Sequence, residues 1–89
     1  MTDSPAAAFR TAVRTNVDPE RRTEAVRELI ETGATDALAT VVRTDGLGGR
    51  FRRQALDGIG RCGDERALDA IAADRSLDPV LRNRAEELR

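Results

Sequence analysis

The chain resembles itself at an offset of 30 residues. Shifted by 30, Arg22, Ala25, Gly33, Ala37 and Leu38 fall on identical residues at Arg52, Ala55, Gly63, Ala67 and Leu68. Val26, Leu29 and Val41 fall on the apolar Leu56, Ile59 and Ile71. A second shift carries Leu47, Arg52 and Ala55 onto Leu77, Arg82 and Ala85, and Asp18-Pro19 returns as Asp78-Pro79. Toward the N-terminus the offset becomes 29, with Thr11, Val13, Arg14 and Thr15 on Thr40, Val42, Arg43 and Thr44. A repeat of this length is one supersecondary unit that buries its apolar face only by stacking on its neighbours.

Each unit reads as two helices. Arg22, Ala25, Val26, Leu29 and Ile30 share one helical face, the spacing of an amphipathic helix. Asp18 is a good N-cap, Pro19 suits the first helical position, and Gly33 stops the helix. The second helix places Leu38, Val41 and Val42 on one face. Its equivalents are Phe9, Ala12 and Val13 before it and Leu68, Ile71 and Ala72 after it. Asp64 caps the helix carrying Leu68, and Ser4-Pro5 opens the first helix by the same logic. No segment alternates apolar and polar residues as a half-buried strand would. The expected fold is all-α, about six helices in one domain over residues 1–89, with units at about 4–16, 17–46, 47–76 and 77–89. Leu29, Leu38, Val41, Leu56, Ile59, Leu68 and Ile71 form the expected core. Neither end carries an evident polar capping unit, so the polar groups of Met1–Asp3, Glu86, Glu87 and Arg89 are expected to serve. Self-association through the ends is the competing reading.

Composition narrows the functional classes. At 89 residues a chain buries only about 60–65% of its unfolded surface, and 14 alanines suit thin, close-packed helices. With no His and one Cys, zinc fingers, Ser-His-Asp triads and disulfide frameworks are out of reach. No catalytic, cofactor-binding or metal-ligating residue is expected. The formal net charge of −1 does not make the whole chain a trap for nucleic acid or anionic lipid. No apolar run approaches the length of a membrane span, and Met1–Ala8 lacks the pattern of a secretory signal. A cytoplasmic location is the expectation. Cys62, just before a helix-ending glycine, is expected to be a small packing residue.

The string Ala55-Leu56-Asp57-Gly58-Ile59-Gly60, with Gly63-Asp64-Glu65-Arg66-Ala67-Leu68, resembles the short HEAT-like repeat of the phycobilisome-lyase type. So does Asp78-Pro79-Val80-Leu81-Arg82 followed by Ala85. The likeness covers about residues 6–88. It implies a short right-handed α-solenoid of helical hairpins whose second helices line a concave surface. It is weakly specific for function, since fold alone does not supply chemistry. Two departures stand out. Gly48-Gly49 replaces the Asp-Pro of its neighbours, removing a cap, and Leu88 falls one residue early against Ile59.

Three sets of residues are candidates for function. The column Arg22, Arg52, Arg82 recurs at 30; the resemblance implies a structural role, bracing neighbouring units through the guanidinium fork. The turn Gly46-Leu47-Gly48-Gly49 leads into Arg50, Arg52 and Arg53, a candidate anion site because backbone N–H groups and guanidinium groups both suit phosphate. Its spacing matches no phosphate-loop or dinucleotide fingerprint, and no Tyr or Trp is present to stack bases. The third set is the second-helix face, Arg10, Arg14, Asp36, Thr40, Arg43, Arg66 and Asp69. Mixed charge on a rigid curved surface suits recognition of a protein, and Arg14 and Arg43 are expected side by side there. The leading expectation is a small non-catalytic adaptor that binds another protein through this face. The alternatives are nucleic-acid or phosphate binding at the Arg-rich turn, or an accessory subunit of a lyase-type enzyme.

Overall fold

Local signals set each helix boundary. The computed structural model describes residues 5–89; the cap expected at Ser4 and the polar start Met1–Asp3 lie outside these residues. Among the described residues there are six α-helices and no strand: α1 (Pro5–Val13), α2 (Pro19–Glu31), α3 (Thr35–Val42), α4 (Gly49–Cys62), α5 (Glu65–Ala73) and α6 (Pro79–Leu88). The carboxylates of Asp18, Asp64 and Asp78 accept from the backbone N–H of Glu20, Ala67 and Val80, satisfying donors that a helix start leaves open. Gly48 opens α4 with no side-chain cap, as the lost Asp-Pro implies.

The two short turns after α2 and α4 are the same device 30 residues apart. Gly33 and Gly63 take the left-handed conformation at φ 69° and 73°. The N–H of Ala34 then reaches Leu29 O at 2.9 Å and that of Gly33 reaches Ile30 O at 3.1 Å. In the second copy Asp64 N–H reaches Ile59 O at 3.4 Å and Gly63 N–H reaches Gly60 O at 3.1 Å. This six-to-one plus five-to-two closure ends a helix sharply. The longer turns before α4 and α6 are pinned by Leu47 and Leu77, both buried.

Packing alternates. α1 packs on α3 and α3 on α5; α2 packs on α4 and α4 on α6. These rows make two layers, and the shortest dimension of 16 Å fits two helix axes about 8–10 Å apart. The most extensive packing joins α1 to α2, α3 to α4 and α5 to α6. The hairpins are thus most simply cut one helix out of phase with the sequence units, while the offset of 30 is the same either way. Leu29, Leu38, Val41, Leu56, Ile59 and Ile71 are fully buried and Leu68 is 1% exposed, as the shared faces predict.

Small residues let the helices of one layer approach. Gly58 on α4 faces Ile30 on α2: a Cβ there would lie 2.3 Å from Ile30 Cγ1. Gly60 faces α6, where a Cβ would lie 3.1 Å from Leu88 Cδ2. Two residues advance a helix by about 200°, so α4 presents bare backbone on nearly opposite sides. The early placement of Leu88 brings its side chain over Gly60.

Candidate functional site

The arginine column does structural work. The last carbonyls of a helix lack intrahelical partners, and cationic donors there also complement the helix dipole. Arg22, buried on α2, donates to Arg14 O just past α1. Arg52 on α4 donates through Nε to Val42 O at the end of α3, at 2.8 Å, and its Nη2 lies 3.5 Å from Asp45. Arg22 also sits over the Phe51 ring, 5.4 Å from its centroid. The third member, Arg82, has a buried Nε with no hydrogen-bond partner among the described residues, as does the Nε of Arg22.

That geometry divides the arginines expected to make one anion site. Arg52 is turned inward onto α3. Arg50 lies over Phe51 at 4.8 Å and reaches Thr23 Oγ1 at 3.4 Å. Arg53 is exposed on the outer face of α4. The three do not converge on one point at the diglycine turn.

On the second-helix side, Arg10, Arg14, Asp36, Thr40, Arg43, Arg66 and Asp69 are all exposed. Arg14 and Arg43 stand just beyond the ends of α1 and α3 rather than within them. Arg43 Nε donates to Asp74 Oδ2 at 2.8 Å, tying the end of α3 to the turn after α5. This bond, with those from the Ser76 hydroxyl and N–H, holds the Asp74 carboxyl down at about 2. Asp69 is paired at 2.8 Å with Arg89 Nε. A second link between units joins Thr35 Oγ1 to Asp64 Oδ2 at 2.6 Å, and with the Ala67 N–H it lowers the Asp64 carboxyl below its ordinary range.

A depression lies on the other layer. A groove of about 1320 Å³ runs across α2, α4 and α6. Arg27, Arg50, Arg53, Arg61 and Arg84 line it, with Glu31, Asp57 and Glu87 among them. Arg84 consumes two of those carboxylates, holding Asp57 at 2.9 Å and Glu87 at 3.3 Å; these bonds raise its own pKa further. Gly58 belongs to the lining where the Ile30 side chain of α2 lies against α4. Val80 stands on the α6 side, 62% exposed. Cys62 also lines the groove and is exposed, its Sγ 3.6 Å from Ile30 O. The packing role expected for it is therefore corrected: as the last residue of α4 it faces solvent beside α2.

Sequence reasoning singled out Arg50 and Arg53 but did not join them to this surface. Gly58 in α4 was its visible sign, since a helix interior carries glycine at a cost unless a neighbour needs the space. Among the described residues, no helix is long and apolar enough to cross a membrane and no group of His, Cys, Asp and Glu is placed to hold a metal ion. Comparison of the chain with family models, curated proteins and solved structures returned no match.

Proposed function

We propose that the chain is a non-catalytic protein-interaction module, a short right-handed α-solenoid of HEAT-like hairpins, and that its partner docks in the groove across α2, α4 and α6. The solenoid reading is supported by the alternating packing of the helices and by the turn that recurs at 30 residues. The groove is the observation that carries the functional reading. It spans three helices held in register by buried leucines and isoleucines, so its charges are fixed on rigid elements, the condition for specific recognition at low ordering cost.

The competing surface is the second-helix face. There Arg43 and Asp69 already have partners within the chain, so a ligand must displace those bonds or use Arg10, Arg14 and Arg66. The groove offers as many unengaged cations, Arg27, Arg53 and Arg61, and gathers them on one continuous concavity. The deciding experiment is capture from native lysate with three baits: wild type, Arg27→Gln/Arg61→Gln, and Arg10→Gln/Arg66→Gln. Glutamine keeps the helix propensity of arginine nearly unchanged, so folding is not the variable. The groove variant should lose the captured protein and the other should keep it. The reverse result returns the working surface to the second helices.

A further inference from the structure

We infer that the occupant of the groove is an acidic segment of a partner protein, one that alternates carboxylates with an apolar residue. This rests on the reading of the groove as the docking surface and names the chemistry of what docks there.

The groove has positive charge left over. Five arginines line the groove against three carboxylates. Asp57 and Glu87 are both spent on Arg84, and Arg50 is folded over Phe51. Arg27, Arg53 and Arg61 remain, all exposed, with no hydrogen bond or ion pair among the described residues. Glu31 is the one carboxylate of the lining without a partner there. An exposed guanidinium presents a planar fork that matches a carboxylate in two parallel bonds. Three such forks on two adjacent helices exceed what one small anion can use, and a groove this long suits a chain segment.

Two observations favour a peptide over a nucleic acid. The lining holds no aromatic side chain on which a base could stack. Glu31, Asp57 and Glu87 also interrupt the cationic track that a continuous phosphate backbone would need. A peptide can instead place its carboxylates opposite the free arginines and an apolar residue opposite Val80. Val80 is the one exposed large hydrophobic side chain among the described residues, and it stands at the rim of the same groove.

The test is fluorescence anisotropy with three labelled probes: a short peptide alternating Glu and Leu, the matching Lys and Leu peptide, and a single-stranded oligonucleotide. The Glu/Leu peptide should bind, and its affinity should fall as salt rises, because exposed charges are screened. Arg27→Gln and Arg61→Gln should each weaken it by roughly tenfold, the worth of one charge-assisted hydrogen bond. Val80→Ser should weaken it without changing the salt dependence. Arg10→Gln/Arg66→Gln should leave it unchanged. If the Glu/Leu peptide fails to bind while Arg27→Gln/Arg61→Gln still abolishes capture from lysate, the acidic occupant is wrong and the docking surface stands. Tighter binding of the oligonucleotide or of the Lys/Leu peptide also overturns the inference. If the acidic peptide binds but ignores the groove substitutions, both the inference and the docking reading fall.

Discussion

Gly58 and Gly60 sit two residues apart on one helix, and replacing each with alanine should move stability in opposite directions. Alanine inside a helix ordinarily gains about 1 kcal/mol over glycine, and this gain is common to both positions. What differs is the space. At Gly58 the new methyl would lie 2.3 Å from Ile30 Cγ1 and 2.6 Å from its Cδ1, so a β-branched side chain with stiff torsions must move. Overpacking of this kind costs about 1–3 kcal/mol, leaving Gly58→Ala less stable by about 0–2 kcal/mol. At Gly60 the tightest approach is 3.1 Å, to the tip of Leu88 on the last turn of α6, which yields by a few tenths of an ångström. Gly60→Ala should therefore be neutral or gain up to about 1 kcal/mol. For a domain of this size 1 kcal/mol moves the melting midpoint by about 4–8 °C, so thermal melts followed by circular dichroism resolve the pair. The double variant Gly58→Ala/Ile30→Ala supplies the control: removing the obstructing atoms should recover part of the loss, with a coupling of about 0.5–3 kcal/mol. A Gly58→Ala protein that melts as high as Gly60→Ala would refute the claim that α2 and α4 are closely apposed at that point.

Three further outcomes follow from the fold. Leu56→Ala or Leu68→Ala should each cost about 2–5 kcal/mol, because both side chains are essentially fully buried; an unchanged urea midpoint in either would contradict the assigned core. Gly63→Ala should cost about 1–2 kcal/mol although nothing stands within 4 Å of the added methyl, because the residue sits at φ 73°; Gly63→Asn, which tolerates that conformation better, should lose less in the same melt. The Asp74 carboxyl, at about 2 in the folded chain, lies below its unfolded value of about 3.9. Its stabilising contribution is therefore complete above about pH 4 and is lost as pH falls toward 2. Arg43→Gln should raise the Asp74 midpoint in a carbon-detected NMR titration, and an unmoved midpoint would remove Arg43 as the main cause.

Helix limits and core were legible because the interactions that set them are local or periodic. Asp18, Asp64 and Asp78 cap the helices they precede, and Gly33 and Gly63 end helices by adopting backbone angles other residues resist. The core residues share faces that the repeat places in common register. The groove was not legible, since it depends on how closely two helices distant in sequence approach, and here that is set by an absent side chain at Gly58. Arginine direction is the other instructive case. Arg52 and Arg53 are neighbours, yet one caps α3 and the other faces outward. A step of about 100° around the helix separates them, and the repeat register with Arg22 outweighs membership of a local charge cluster. Cys62 fell on a helix end where the apolar face had already run out.

The alternating packing also prescribes the order in which the chain lets go of its structure. α3 packs against every helix but α6, and α4 against every helix but α1, whereas α1 meets only α2 and α3, and α6 only α4 and α5. Detaching a terminal helix breaks one face of contact; detaching α3 or α4 dismantles the whole. Backbone amides of α1 and α6 should then exchange with solvent through partial openings, and those of α3 and α4 only when the entire chain opens. A groove built on α2, α4 and α6 straddles that gradient, with a durable middle wall and one wall that can detach. Occupying it would slow exchange most in α6, the wall with the fewest attachments of its own.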